Sequence, residues 1–145
     1  MADPYGLERF VAAQNQAGTY DAAVDELRAG RKRTHWMWFV FPQIAGLGQT
    51  TTSRKYAISS LDEARAYLAH PVLGLRLIHC AEIVGQHHGR SAEEIFGGID
   101  AMKLRSSMTL FAYADSANPI FVQVLEAYFG GVPDEATERL LGVGR

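Results

Sequence analysis

Residues 71–88 are so apolar that they constrain how the rest of the chain can fold. When the segment is drawn as a helix, apolar side chains cover most of its circumference and leave one narrow polar stripe. A helix that is apolar nearly all round is usually surrounded by other elements. The sequence therefore predicts a packed domain with this helix near its centre. The apolar positions are Val72, Leu73, Leu75, Leu77, Ile78, Cys80, Ala81, Ile83 and Val84.

Helix start and stop signals recur along the rest of the chain. Two capping boxes, Ser60-Leu61-Asp62-Glu63 and Ser91-Ala92-Glu93-Glu94, each predict a helix start. Glycines after apolar residues at 3–4 spacing predict the ends. We therefore predict an all-α fold, a compact multihelical single domain over residues 1–145 with about seven or eight helices. The predicted helices cover residues 6–16, 19–30, 61–70, 71–88, 91–97, 99–114, 119–130 and 134–141.

The run from His35 to Phe41 is apolar throughout, so periodicity alone cannot assign it to helix or strand. A short helix, with Thr34 as an acceptable N-cap, is the better interpretation, because a single strand would have no obvious partner elsewhere in the chain. The segments 46–48 and 50–52 that follow predict a loop.

Composition excludes several classes of protein. The formal net charge of −2 offers no bulk field for nucleic acid, which argues against a nucleic-acid partner. The one cysteine, Cys80, cannot form an intrachain disulfide or a multi-cysteine metal site. The N-terminus lacks the pattern of a signal peptide, and no apolar run is long enough to cross a membrane. We expect a soluble cytoplasmic protein, monomer or homodimer, with no metal site and no cofactor.

Five blocks of sequence together resemble a known family. They cover residues 30–43, 46–48, 56–58, 70–74 and 103–111, and the first holds Trp36, Trp38 and Pro42. They are similar to the bacterial domain-of-unknown-function family eighteen-ten, whose members are sometimes mislabelled calpastatin-like. The resemblance spans about Leu7 to Leu141. It implies a mainly helical fold, and it implies no activity and no catalytic residues.

The most distinctive local feature places cations beside aromatic rings. Arg31-Lys32-Arg33 comes directly before His35, Trp36 and Trp38. Such a group could hold a phosphate and stack a base, or it could be a solvated turn next to two core tryptophans. On a helix, Trp36 and Trp38 would point roughly 200° apart and could not both face one core. At least one indole should therefore reach a second packing layer, a partner or a cleft.

A second feature lies on the predicted helix 99–114, where Asp100, Lys103 and Ser107 form one stripe. Lysine and serine one turn apart could act as base and nucleophile if the lysine were desolvated. The alternative is an Asp100–Lys103 surface pair with the serine packed at a close helix crossing. The sequence leaves both interpretations open.

These features predict a pocket where the block 31–43 meets the loop 46–56 and the start of the helix 99–114. In it, Arg33 and Lys103 would hold an anion, Trp38 would stack on the ligand, and His35 would exchange a proton near neutral pH. The predicted ligand-binding residues are Arg33, Trp38, Gln43, Ser53, Tyr56 and Asp100, and the catalytic candidates are His35, Lys103 and Ser107.

The leading hypothesis is a protein that binds a phosphate-bearing or nucleotide-like small molecule, or an enzyme of unassigned activity acting on one. The alternative is a non-catalytic protein–protein interaction module or homodimer, with an exposed apolar patch that includes Phe121, Tyr128 and Phe129. The sequence names neither a substrate nor a reaction.

Overall fold

The regular secondary structure of the chain is helical within the described residues, and the fold is all-α, as the sequence predicts. The structure is a computed structural model that describes residues 3–87 and 89–143, so residue 88, the predicted end of the central helix, lies outside it. Within the described residues the one β feature is an isolated parallel bridge between Ile44 and Ile58. The helices are α1 Glu8–Asn15, α2 Thr19–Ala29, α3 Met37–Val40, α4 Thr51–Lys55, α5 Leu61–Ala69, α6 Leu73–Gly85, α7 Ala92–Phe96, α8 Gly98–Ala114, α9 Ile120–Phe129 and α10 Glu135–Leu141, and a 3₁₀ turn at Gln16–Gly18 joins the first two.

Two helices, α6 and α8, organise the core. The helices α5 and α9 each pack against both of them, while α2 packs on α6, and α7 and α10 pack on α8. The sequence predicts the central place of α6 but not that of α8. The middle turns of α8 contain Ser106 and Thr109, which are polar residues and yet are buried. Their hydroxyls donate to the carbonyl oxygens of Met102 (3.1 Å) and Arg105 (2.8 Å) on the preceding turn, so these two hydroxyls are satisfied within the helix.

A sharp corner joins α5 to α6, whose axes are bent by 91°. The ring nitrogen Nδ1 of His70 accepts hydrogen bonds from the backbone N–H groups of Val72 (3.1 Å) and Leu73 (3.3 Å), which satisfies the start of α6. Among the described residues no single helix is both long enough and apolar enough to cross a membrane. The bent pair α5–α6 meets both criteria only when its two helices are counted together.

The segment 35–41 contains a short helix, α3, as expected. Trp36, and not Thr34, precedes its first residue, because the Thr34 hydroxyl donates to the Glu26 carboxylate instead. The prediction of a loop at 50–52 was wrong, because α4 begins at Thr51. The Thr50 hydroxyl caps α4 by accepting a hydrogen bond from the Ser53 N–H at 3.1 Å.

Arg9 fixes the end of the segment 43–58 against the rest of the fold. Its guanidinium donates to the carbonyl oxygens of Lys55 (2.7 Å) and Ala57 (2.9 Å) and to the buried Glu63 carboxylate at 3.0 Å. That carboxylate also accepts the Ser59 N–H and hydroxyl, both at 2.8 Å. The box predicted at residue 60 is therefore only half formed, since Glu63 turns to Ser59 rather than to the cap's own N–H.

Candidate functional site

Two hollows adjoin on one side of the molecule. The first, which we call the loop hollow, has a volume of about 400 Å³ and lies between the segment 43–53, α8 and the start of α10. The second, the lysine hollow, has a volume of about 360 Å³ and lies between residues 32–38 and the junction of α7 with α8. Trp38, Ile99 and Lys103 line both, so the two hollows meet at these side chains.

The two tryptophans have different surroundings, as the sequence predicts, but helical geometry is not the reason, because Trp36 precedes α3 and has non-helical backbone angles. Trp36 is fully buried, and its ring packs near Phe41 and Phe96 with centroid distances of 6.2 and 6.4 Å. Trp38 is only half-buried and lines both hollows. One indole therefore belongs to the core and the other to the wall of a cleft.

Two lysines share one carboxylate at this wall. The Lys103 ammonium lies 4.3 Å from the centroid of the Trp38 ring and 3.3 Å from Asp100 Oδ1. The other oxygen of Asp100 lies 2.9 Å from Lys32 Nζ, which also donates to the Thr34 carbonyl oxygen at 2.5 Å. The Lys32 side chain is 6% exposed and the Lys103 side chain 22%. The group thus carries one net positive charge, and Lys103 is its more accessible cation.

Most of the residues predicted for the site meet at the two hollows, although they come from three segments of the chain. Gln43 and Ser53 line the loop hollow, whereas the exposed His35 and the half-buried Asp100 line the lysine hollow. Together with Trp38 and Lys103, six of the nine predicted residues surround one cleft.

The structure does not bring the other three predicted residues to the hollows. The Arg33 side chain is exposed to solvent, and its backbone N–H donates to Glu26. Tyr56 packs edge-on against Phe39, with ring centroids 4.7 Å apart. Ser107 is fully buried, and its hydroxyl has no hydrogen-bond partner within the described residues, so the base–nucleophile pair with Lys103 does not form.

Sequence reasoning missed two apolar side chains at the cleft, Ile99 and Met102. They are 77% and 66% exposed, although they lie one turn apart on α8 and line the loop hollow. A helical wheel places them roughly opposite Leu104 and Phe111 of the buried face. The exposure of this apolar pair could therefore have been predicted from the sequence.

Glu26, near the end of α2, holds the segment that carries the lysine and the tryptophans. Its carboxylate accepts the backbone N–H groups of Arg33 (2.7 Å) and Thr34 (2.9 Å), the Thr34 hydroxyl (2.6 Å) and the Trp36 indole N–H (2.9 Å). Burial of the carboxyl acts to raise its pKa, but these hydrogen bonds outweigh burial and lower the pKa of Glu26 to about 2.

The change Glu26→Gln is expected to destabilise the protein by about 1–2 kcal/mol at pH 7, because an amide cannot accept all four donors. The folded-state pKa of Glu26, about 2, lies below its ordinary value of 4.5. The stabilisation by its carboxylate is therefore complete above that ordinary value and is lost as the pH falls through the folded-state value.

Urea unfolding of the wild type and the Glu26→Gln variant between pH 7 and pH 2 tests this expectation. The two unfolding free energies should converge as the pH approaches 2. The matched control is Glu126→Gln, an exposed glutamate on α9, which should follow the wild-type profile. Parallel profiles for the wild type and Glu26→Gln over the whole range would contradict the expectation.

The prediction of an exposed apolar patch that includes Phe121 was wrong. Phe121 is fully buried, and the Tyr128 hydroxyl donates to the carbonyl oxygens of Val84 and His87. Phe129 is half-buried, with the Arg105 guanidinium 5.7 Å from its ring centroid. These aromatic side chains therefore pack α9 against the fold instead of forming the predicted patch.

A wider cleft of about 570 Å³ lies elsewhere, between α2, α6 and α9. Its polar side chains include Arg28, His79 and Glu82, all of them exposed, so opposite charges balance along its wall. Within residues 3–87 and 89–143, no group of three or more His, Cys, Asp or Glu side chains could hold a metal ion. The uncompensated charge at Lys103 makes the two adjoining hollows the better candidate.

The fold and the hollows define a class: a small all-α protein with a shallow cleft walled by an indole and lysines. The family described as "Protein of unknown function (DUF1810)" matches residues 4–141, and the chain belongs to this family. The crystal structure of the conserved hypothetical protein Rv1873 from Mycobacterium tuberculosis is similar, with 57% identity and a TM-score of 0.94. The match covers 98% of this chain and 100% of the mycobacterial one. Comparison with curated proteins gives no match.

Proposed function

We propose that the protein binds a small phosphate-bearing or nucleotide-like molecule at the two hollows, with Lys103 as the main contact to its anionic group. The observation that carries the proposal is the imbalance of charge at this wall. Asp100 has one negative charge and faces two ammonium groups, at 2.9 and 3.3 Å. An anion beside Lys103 would complete the pairing and gain a charge-assisted hydrogen bond.

The setting of Lys103 supports this role. The Trp38 ring and Asp100 hold its ammonium in one place, which lowers the entropy lost when a ligand binds. The nearby His35 imidazole can add a second donor. Each hollow also has a volume within the range of about 300–1,000 Å³ that is common for ligand sites.

The Trp38 ring contacts Lys103, so its role differs from the stacking on a ligand that the sequence predicts. The ammonium already lies over the ring, at 4.3 Å from its centroid. The indole therefore orients the lysine through a cation–π contact. A planar ligand group would stack on that face only where Lys103 turns away toward the anion.

Calorimetric titration with inorganic phosphate and with adenosine monophosphate tests the proposal. The variant Lys103→Met should weaken the binding of both by about tenfold or more, since it removes a charged hydrogen-bond donor. The matched control is Lys55→Met, an exposed lysine that lines neither hollow. A wild-type protein that binds neither compound, or equal effects of the two variants, would refute the proposed function. Ser107→Ala, in the core, should leave the affinity unchanged.

A second candidate function is an interaction module or homodimer, and the exposed Ile99 and Met102 favour it. Sedimentation velocity at several protein concentrations separates the two functions. A dimer that is lost on Trp38→Ala would support the interaction module. A monomer at every concentration, with a thermal shift on adding phosphate compounds, would support ligand binding.

A further inference from the structure

The pair of exposed apolar side chains at the cleft has no use in binding a bare anion. Ile99 and Met102 stand one turn apart on α8, and Lys103 is the next residue. Leu47 and Trp38 line the same loop hollow, so apolar surface meets there from two sides. Single exposed apolar residues are common, but several that converge on one concave site indicate an apolar part of a ligand.

The loop hollow is also lined by residues that carry polar groups, among them Gln43 and Trp38. Neither the half-buried Gln43 amide nor the Trp38 indole N–H has a hydrogen-bond partner within the part of the chain that the structure describes. By contrast, the Thr50 and Ser53 hydroxyls bond to each other at 2.9 Å. An amide supplies both donors and an acceptor in one plane, which suits the edge of a heteroaromatic ring.

Charge distinguishes the two hollows. The loop hollow is lined by Asp134, whose carboxylate Oδ2 caps α10 by accepting the Thr137 N–H at 2.9 Å. A negative charge there disfavours an anion in that hollow. The lysine hollow is lined by Lys32, His35 and Asp100, and Lys103 lines both hollows, so the two lysines there outnumber the one carboxylate that pairs with them. An organic anion would therefore have one favourable orientation.

Resting on the proposed function, we infer that the two hollows divide the ligand between them. A neutral heteroaromatic group lies in the loop hollow, against Ile99 and Met102, with its edge hydrogen-bonded by Gln43. The anionic group lies at Lys103 and on the side of the lysine hollow. The ligand class is a heteroaryl-bearing organic anion of the nucleoside monophosphate type.

Titration of the full chain with the four common ribonucleoside monophosphates, adenosine and inorganic phosphate tests the division. At least one nucleotide should bind about tenfold tighter than phosphate, and also tighter than adenosine. Ile99→Ser and Met102→Gln should each weaken the binding of that nucleotide by about fivefold. They should leave the affinity for phosphate unchanged, because they remove only apolar contact. Gln43→Leu should change the order of preference among the four bases.

The matched control is Leu75→Ser, which replaces a leucine that is 71% exposed on α6 and lines neither hollow. Phosphate that binds as tightly as every nucleotide, or effects of the α8 variants no larger than that of Leu75→Ser, would overturn the division and leave the proposed function standing. Adenosine that binds as tightly as adenosine monophosphate would overturn the assignment of the anion to Lys103. A wild-type protein that binds none of the compounds refutes the proposed function, and the inference with it.

Discussion

Replacing Arg9 with methionine is expected to destabilise the protein by about 3 kcal/mol. The change removes five hydrogen bonds, among them those to the Lys55 and Ala57 carbonyl oxygens. It also leaves the Glu63 carboxylate, whose side chain is 4% exposed, without its cation. A buried charge that has lost its partner is costly, and the two Ser59 donors compensate it only in part.

Urea unfolding at pH 7 measures this effect, with Arg139→Met as the matched control. Arg139 pairs with Glu135 one turn away on α10, and both side chains are mostly exposed, so the control should cost less than about 0.5 kcal/mol. Adding Glu63→Gln to Arg9→Met should restore part of the lost stability, since it removes the stranded charge. Equal unfolding free energies for the two arginine variants would show that the Arg9 network contributes little.

The sequence predicts the helices well where local signals end them, and less well where packing decides. Ser91 and Glu94 form both bonds of their box, as the spacing requires. At residue 60 the spacing is the same, but Arg9 draws the Glu63 carboxylate away from the cap, and no local pattern can show a contact over 54 positions. The central role of α8 is hidden for a similar reason, because Ser106 and Thr109 satisfy their hydroxyls within the helix.

At the site, the spacing of residues predicts local geometry but not which cation turns inward. The Asp100–Lys103 pair follows from helical periodicity alone, whereas the different surroundings of Trp36 and Trp38 do not, because Trp36 precedes α3 with non-helical backbone angles. Within the basic triplet, Lys32 rather than Arg33 reaches Asp100. The backbone N–H of Lys32 donates to the Ile95 carbonyl oxygen at 2.7 Å, and that contact with α7 sets the direction of the chain. Only the tertiary fold contains this information.

The change Gly74→Ala is expected to destabilise the protein by about 3 kcal/mol, at the upper end of the usual cost of overpacking. Helix propensity alone favours alanine here by about 1 kcal/mol, because glycine is the more flexible residue in the unfolded chain. A Cβ at this position, however, would lie 2.0 Å from the Leu68 carbonyl oxygen and 2.8 Å from its carbonyl carbon. Both are backbone atoms, so no side-chain rotation relieves the clash and the corner between α5 and α6 has to open.

The same substitution at Gly85, in the last turn of α6, is the matched control for Gly74→Ala. Apart from its own helical turn, no atom of the described residues lies within 4 Å of a Cβ placed there, and its φ is not positive, so alanine should leave the stability unchanged or raise it by about 0.4–1 kcal/mol. Thermal and urea unfolding should therefore show a large loss of stability for Gly74→Ala and no loss for Gly85→Ala, within one helix. Equal shifts would mean that the α5–α6 corner adjusts freely, whereas a loss confined to Gly74→Ala locates the cost at the contact between Gly74 and Leu68. Because α6 and α8 both pack on α5, a strained corner would also lower the unfolding cooperativity of the Gly74→Ala variant, which its urea m-value measures.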